Sequence, residues 1–146
     1  MLFQLHGDAY ALGIGAVMEV LPMVALARVP GSFAALEGLV DLRGRVIPVL
    51  DARRLLGLPE RQPDLHTPIL IVRKQERVFG LIVDLVTEVR TIPLETLTPP
   101  DLLAGPAHGI AAVARLDNRI VLLLNLDSLC ADLPTAGAAM SAIEQR

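Results

Sequence analysis

Tyr10–Val20 reads YALGIGAVMEV and Phe79–Val89 reads FGLIVDLVTEV. Aligned without a gap, they place Tyr10 over Phe79, Leu12 over Leu81, Ile14 over Val83, Val17 over Val86, Glu19 over Glu88 and Val20 over Val89. An aromatic start and a shared V-x-E-V ending, 69 positions apart, mark an internal repeat. A second match agrees with the first. Val46–Asp51, VIPVLD, lies over Ile120–Asn125, IVLLLN, at an offset of 74, and Leu55 lies over Leu129 at the same offset. The difference between the offsets is loop length, so the chain reads as two related halves.

Each half is rich in short strands. Leu2–Leu5, Ala9–Ile14, Val17–Leu21, Leu39–Leu42 and Val46–Leu50 are the candidates in the first. Ile69–Arg73, Val78–Val83, Val86–Thr91, Ile110–Leu116 and Ile120–Leu124 are those in the second. These apolar runs are short, and glycine, proline, asparagine or aspartate stand between them. Arg43-Gly44 and Asp117-Asn118 have the composition of two-residue hairpin turns, where positive φ is needed. Asp51 can cap a helix begun by ARRLL and ended by Gly57 and Pro59, while Asn125 or Asp127 can cap DSLCADL, stopped by Pro134. Pro48 cannot donate to a ladder, which implies an edge or a bulge.

Strands this short and this numerous leave open sheet edges unless the sheets close, so the expected fold class is mainly β: two small barrels packed on each other, with short helices. The expected domain spans 1–133, its barrels covering roughly 10–68 and 69–133, with the N-terminal strand 1–6 a candidate member of the second barrel. Pro59–Pro68, polar and proline-rich, is the expected link, and 134–146 the C-terminal tail.

Apolar residues make up 53% of the 146 positions and charged residues 20%, which excludes disorder. A net charge of −3 without a dense Lys/Arg cluster argues against nucleic acid and anionic lipid as partners. Residues 9–27 are nearly long and apolar enough for a membrane span, but Glu19 and Pro22 sit near the middle, so two buried strands are expected. No basic n-region of a signal peptide precedes them. Cys130 has no second cysteine and reads as a small buried thiol, which fits a reducing cytoplasm.

Catalytic constellations are thin. Ser32, Ser128 and Ser141 lack a nucleophile-elbow context. His6, His66 and His108 lie far apart without metal-ligand spacing. Gly13-Ile14-Gly15 is a fragment of a dinucleotide loop without the rest of its fingerprint, and is read as glycines within or between strands. Asp84 and Glu88 would share one face of a strand, yet they read as surface or salt-bridged carboxylates. No cofactor, metal or enzymatic activity is expected. Arg43 is the exception, because a hairpin tip presents its side chain to solvent. A solvated turn arginine is one reading; an interface anchor is the other, since arginine is enriched among hot spots. A mean hydropathy of +0.54 favours the second, because two small barrels leave apolar surface uncovered.

The ordered set of motifs resembles the CheW-like family of chemosensory coupling proteins. It runs F-x-L from Phe3, V-x-E-V at Val17–Val20, V-P at Val29-Pro30, and GLVDLRGRVIPVLDAR from Gly38. Then follow I-L-I-V at Ile69–Val72, G-L-I-V-D-x-V-x-E-V at Gly80–Val89 and L-x-L-x-x-L at Leu124–Leu129. The resemblance implies two five-stranded SH3-like barrels on a shared core. It implies a non-enzymatic cytoplasmic adaptor that couples the cytoplasmic tip of methyl-accepting chemoreceptors to the regulatory domain of a CheA-type histidine kinase, without membrane insertion of its own. An adaptor of a non-flagellar chemosensory pathway is the alternative, and a stand-alone peptide- or small-molecule-binding barrel a more distant one. Carried over by motif, the partner-binding residues are Arg43, Gly38 and Gly44 around the R-G hairpin, with Val17, Glu19 and Val20 on the receptor-facing side. Asp41, Phe33 and Ala52 depart from the family pattern, and Asp41 adds a charge beside the contact.

Overall fold

The computed structural model describes residues 1–32, 34–100 and 109–130. Among the described residues, eleven strands and two short α-helices follow in the order β1 (Leu2–Leu5), β2 (Asp8–Ala11), β3 (Val17–Pro22), β4 (Leu36–Leu42), β5 (Arg45–Asp51) and α1 (Ala52–Leu55). The second half supplies β6 (Pro68–Lys74), β7 (Arg77–Ile82), β8 (Leu85–Glu88), β9 (Leu97–Thr98), β10 (Ile110–Leu116), β11 (Arg119–Leu124) and α2 (Leu126–Cys130). The 134–146 tail, His108, Phe33 and the side chain of Cys130 lie outside the described residues.

Two sheets form, of order β3-β6-β7-β5-β4 and β8-β1-β2-β11-β10-β9. They fit two SH3-like barrels, the second widened by the two-residue β9. The strands are not shared out by halves. β6 and β7, expected in the second barrel, join β3–β5 in the first, whereas β2 joins β1 and β8–β11 in the second. The N-terminal strand β1 does lie in the second barrel. The reason is burial: β6 and β7 are apolar runs buried along most of their length. Such strands need a neighbour on both sides, and they find β3 and β5 there.

The repeat survives this exchange. In the first barrel β3 meets β6 at Val17↔Val72 and Glu19↔Ile71, with a bulge between. In the second, β8 meets β1 at the equivalent Phe3↔Val86 and Leu2↔Glu88, with the bulge in the same place. β5 runs parallel to β7 at Val49↔Gly80, and β11 runs parallel to β2 at the equivalent Leu123↔Ala11. Even the hairpin bulges Leu36/Gly38 and Ile110/Ala112 correspond.

Each barrel has a small interior of its own, Val40, Ile47, Val49, Ile69, Ile71 and Ile82 in the first and Leu2, Ala9, Ala11, Ala114 and Val121 in the second. The largest cluster belongs to both: Phe3, Leu5 and Tyr10 pack with Leu50, Leu70, Phe79, Leu81 and Leu124. The repeated aromatics Tyr10 and Phe79 both end there, which explains why both halves keep a ring at that position. Fully burying such a side chain contributes about 1.5–3 kcal/mol.

The helices cap as the sequence suggests. Asp51 accepts the Arg53 N–H at 3.0 Å, and Gly57, at φ 71°, closes α1. Asn125, rather than Asp127, caps α2, its Oδ1 accepting the Ser128 N–H at 3.2 Å. No helix among the described residues is long and apolar enough to cross a membrane.

Candidate functional site

The Arg43-Gly44 turn joins β4 to β5, with Arg43 at φ 54° and Gly44 at φ 80°. Positive φ at both central residues makes this a type I′ hairpin, the turn whose twist matches the flanking strands. Gly44 meets this demand without strain, and its missing Cβ faces open space. The turn therefore sets Arg43 out from the barrel, its side chain 77% exposed.

β3 and β4 are the two edges of the first sheet, and curling brings them face to face. Arg43 spans that seam, placing Nη2 2.9 Å from Glu19 Oε2. Glu19 is far less exposed, and its second oxygen, Oε1, is buried without a hydrogen-bond partner among the described residues. An uncompensated buried acceptor costs about 1–3 kcal/mol.

Alternation along β3 decides which neighbours are presented. Val17, Glu19 and Leu21 turn partly inward, while Met18, Val20 and Pro22 are exposed. Of the residues expected from sequence, Val17, Glu19 and Val20 share this strand, and Arg43 reaches it across the seam from the turn that Gly44 completes. Met18 is an additional exposed apolar residue there, absent from the motif reading because its position in V-x-E-V is the variable one.

Gly38 has an internal role. It sits at the β4 bulge, where a Cβ would lie 2.8 Å from the Ala27 carbonyl oxygen and 2.8 Å from Leu26 Cβ. Residues 26–27 fold across β4 there, with Ala27 and Leu39 exchanging backbone hydrogen bonds of 2.8 and 2.9 Å.

Asp84 and Glu88 do not act together. Asp84 lies in the crossover between β7 and β8 rather than in a strand, so even spacing does not apply. Its side chain is 14% exposed and receives Arg53 Nε at 2.8 Å, Arg53 Nη2 and the His6 N–H at 2.8 Å. Burial pulls the Asp84 carboxyl upward, but the Arg53 and His6 hydrogen bonds outweigh it and hold the group below its ordinary pKa. Glu88 instead lies 3.4 Å from Arg90, which also reaches Asp117 at the tip of the β10–β11 hairpin at 2.8 Å. The second barrel thus ties its hairpin to the region of β8, as the first ties Arg43 to β3, with the tip charge reversed. No group of metal-ligating side chains is present among the described residues.

Arg43 and Glu19 thus stand at the seam beside the exposed apolar side chains of Met18 and Val20. Comparison with known proteins agrees with the motif reading. The family model of the CheW-like domain matches residues 1–133. A probable chemotaxis protein CheW of Rhizobium etli is 28% identical over 141 residues, covering 93% of this chain and 89% of that protein. Chemotaxis protein CheW of Bacillus subtilis is 27% identical, with 88% and 84% covered. The crystal structure of scaffolding protein TtCheW from Thermoanaerobacter tengcongensis superposes with a TM-score of 0.82 at 30% identity, covering 88% of each chain. The chain belongs to the CheW-like family.

Proposed function

We propose that this chain is a coupling adaptor that engages the regulatory domain of a CheA-type histidine kinase and the cytoplasmic tip of a chemoreceptor, and that the Arg43–Glu19 seam of the first barrel is the contact surface for one of the two. The chain is a non-enzymatic scaffold of chemotaxis signalling, as the family and the similar proteins support. It works in the cytoplasm, held at the receptor array by its partners. The observation that carries the surface is an Arg43 side chain 77% exposed on a type I′ turn and paired across the seam with Glu19. Met18 and Val20 add exposed apolar area on the same strand. Gly38 and Gly44 act indirectly, the first by admitting residues 26–27 against β4 and the second by shaping the turn.

Isothermal titration of each partner fragment against wild type and Arg43→Ala tests the proposal. Loss of a hot-spot arginine should weaken binding by on the order of 2 kcal/mol, about 30-fold. Unchanged affinity for both fragments removes Arg43 from the contact.

A further inference from the structure

Each repeat leaves its first hairpin unpaired with its own later strands. Among the described residues, β1–β2 pair outside their hairpin only with β8 and β11, both from the second repeat. β6–β7 pair outside theirs only with β3 and β5, both from the first. The four ladders that complete the barrels are therefore contacts between repeats. The shared core is mixed in the same way, since Phe3, Tyr10 and Leu50 come from one repeat and Leu70, Phe79 and Leu124 from the other.

The covalent join between repeats is the segment 59–67, and it holds little of this recognition. Asp51 at the end of β5 and Ile69 in β6 both lie opposite Ile82 of β7. Those two strand positions stand about two strand spacings, roughly 10 Å, apart, with α1 and its turn filling residues 52–58 between β5 and the join, while the nine-residue join alone reaches about 30 Å. Its slack is held by the Arg53 Nη1 bond to the Pro59 carbonyl at 2.8 Å, the contact of Arg61 with Asp84 at 3.8 Å and a local Asp64–Thr67 turn. Leu65 at its middle is 81% exposed.

We propose that two copies of this chain can exchange repeats through residues 59–67, each barrel pair then combining the first repeat of one copy with the second repeat of the other. Every ladder and core contact of the monomer is kept, because all of them already lie between repeats or within one. The slack of the segment favours closure within one copy, where the second repeat is present at high effective concentration. Removing the slack turns the preference toward exchange. The exchanged dimer carries two Arg43–Glu19 seams and is a bivalent form of the scaffold.

The test deletes Pro59–Thr67 from the full chain, which joins Leu58 directly to Pro68 at about 3.8 Å between Cα atoms and leaves none of the slack. After refolding from urea, light scattering should give twice the mass of one copy, with the circular dichroism of wild type. A folded monomer overturns the proposal. Should the deletion prevent folding, a second experiment decides. A protease site is placed within residues 60–66 of the full chain and the folded protein is cut. The two pieces should remain a one-to-one complex and re-form it after denaturation in urea. Pieces that do not find each other again overturn it, since exchange requires recognition without the covalent link.

Discussion

Arg43 and Asp84 both pair with an opposite charge, but their surroundings give the pairs different weight. An exposed pair such as Arg43–Glu19 contributes at most about 1 kcal/mol to folding, so Arg43→Ala should leave the thermal midpoint nearly unchanged while it weakens partner binding. Asp84 and Arg53 are only 14% and 10% exposed. Asp84→Asn should therefore cost on the order of 2–3 kcal/mol in urea unfolding, somewhat less than a fully buried pair loses. The pH dependence has a definite sign. Because the folded Asp84 pKa is depressed, its contribution is fully present above the unfolded value of about 3.9 and is lost as pH falls through the lower folded value. Asp51 acts oppositely, since burial raises its pKa against the Arg53 N–H bond. Urea unfolding from pH 6 to pH 2 should show the gap between wild type and Asp84→Asn closing toward the acid end. A constant gap would contradict the assignment. Arg43 was legible in the sequence because Arg-Gly between apolar runs is turn chemistry. Its pairing with Glu19 was not, because that contact crosses a seam formed only when the sheet curls.

At the level of elements, the strands and both hairpin turns were legible because periodicity and turn residues are local. Sheet membership was not, because a ladder partner leaves no local trace. One signal did exist: I-L-I-V and F-G-L-I-V are unbroken apolar runs, fit for central strands, whereas β3 is interrupted by Glu19 and ends on Pro22. Gly38 illustrates the same limit. Its sequence context suggested a place in the partner-binding region, and the packing of residues 26–27 on β4 gives it an internal one. Gly38→Ala should destabilise by about 1–3 kcal/mol, as overpacking does, because the obstructing atom is backbone. Amide hydrogen exchange should locate the damage, with faster exchange at Ala27 and Leu39, whose N–H groups bond across that contact. Exchange unchanged at both would place the strain elsewhere.

The whole molecule is two equivalent barrels built by exchange around one core. That arrangement gives the chain two similar but non-identical faces around a shared core. The tips differ in charge, Arg43 in the first and Asp117 in the second, each tied back to a strand region. On the proposed function these two faces hold two partners at once, and this is the central claim. Sedimentation velocity of the chain mixed with a kinase regulatory domain and a receptor-tip fragment tests it directly. The account predicts a three-component species that vanishes when the chain is left out and weakens with Arg43→Ala. Two binary complexes in which each partner displaces the other would contradict it.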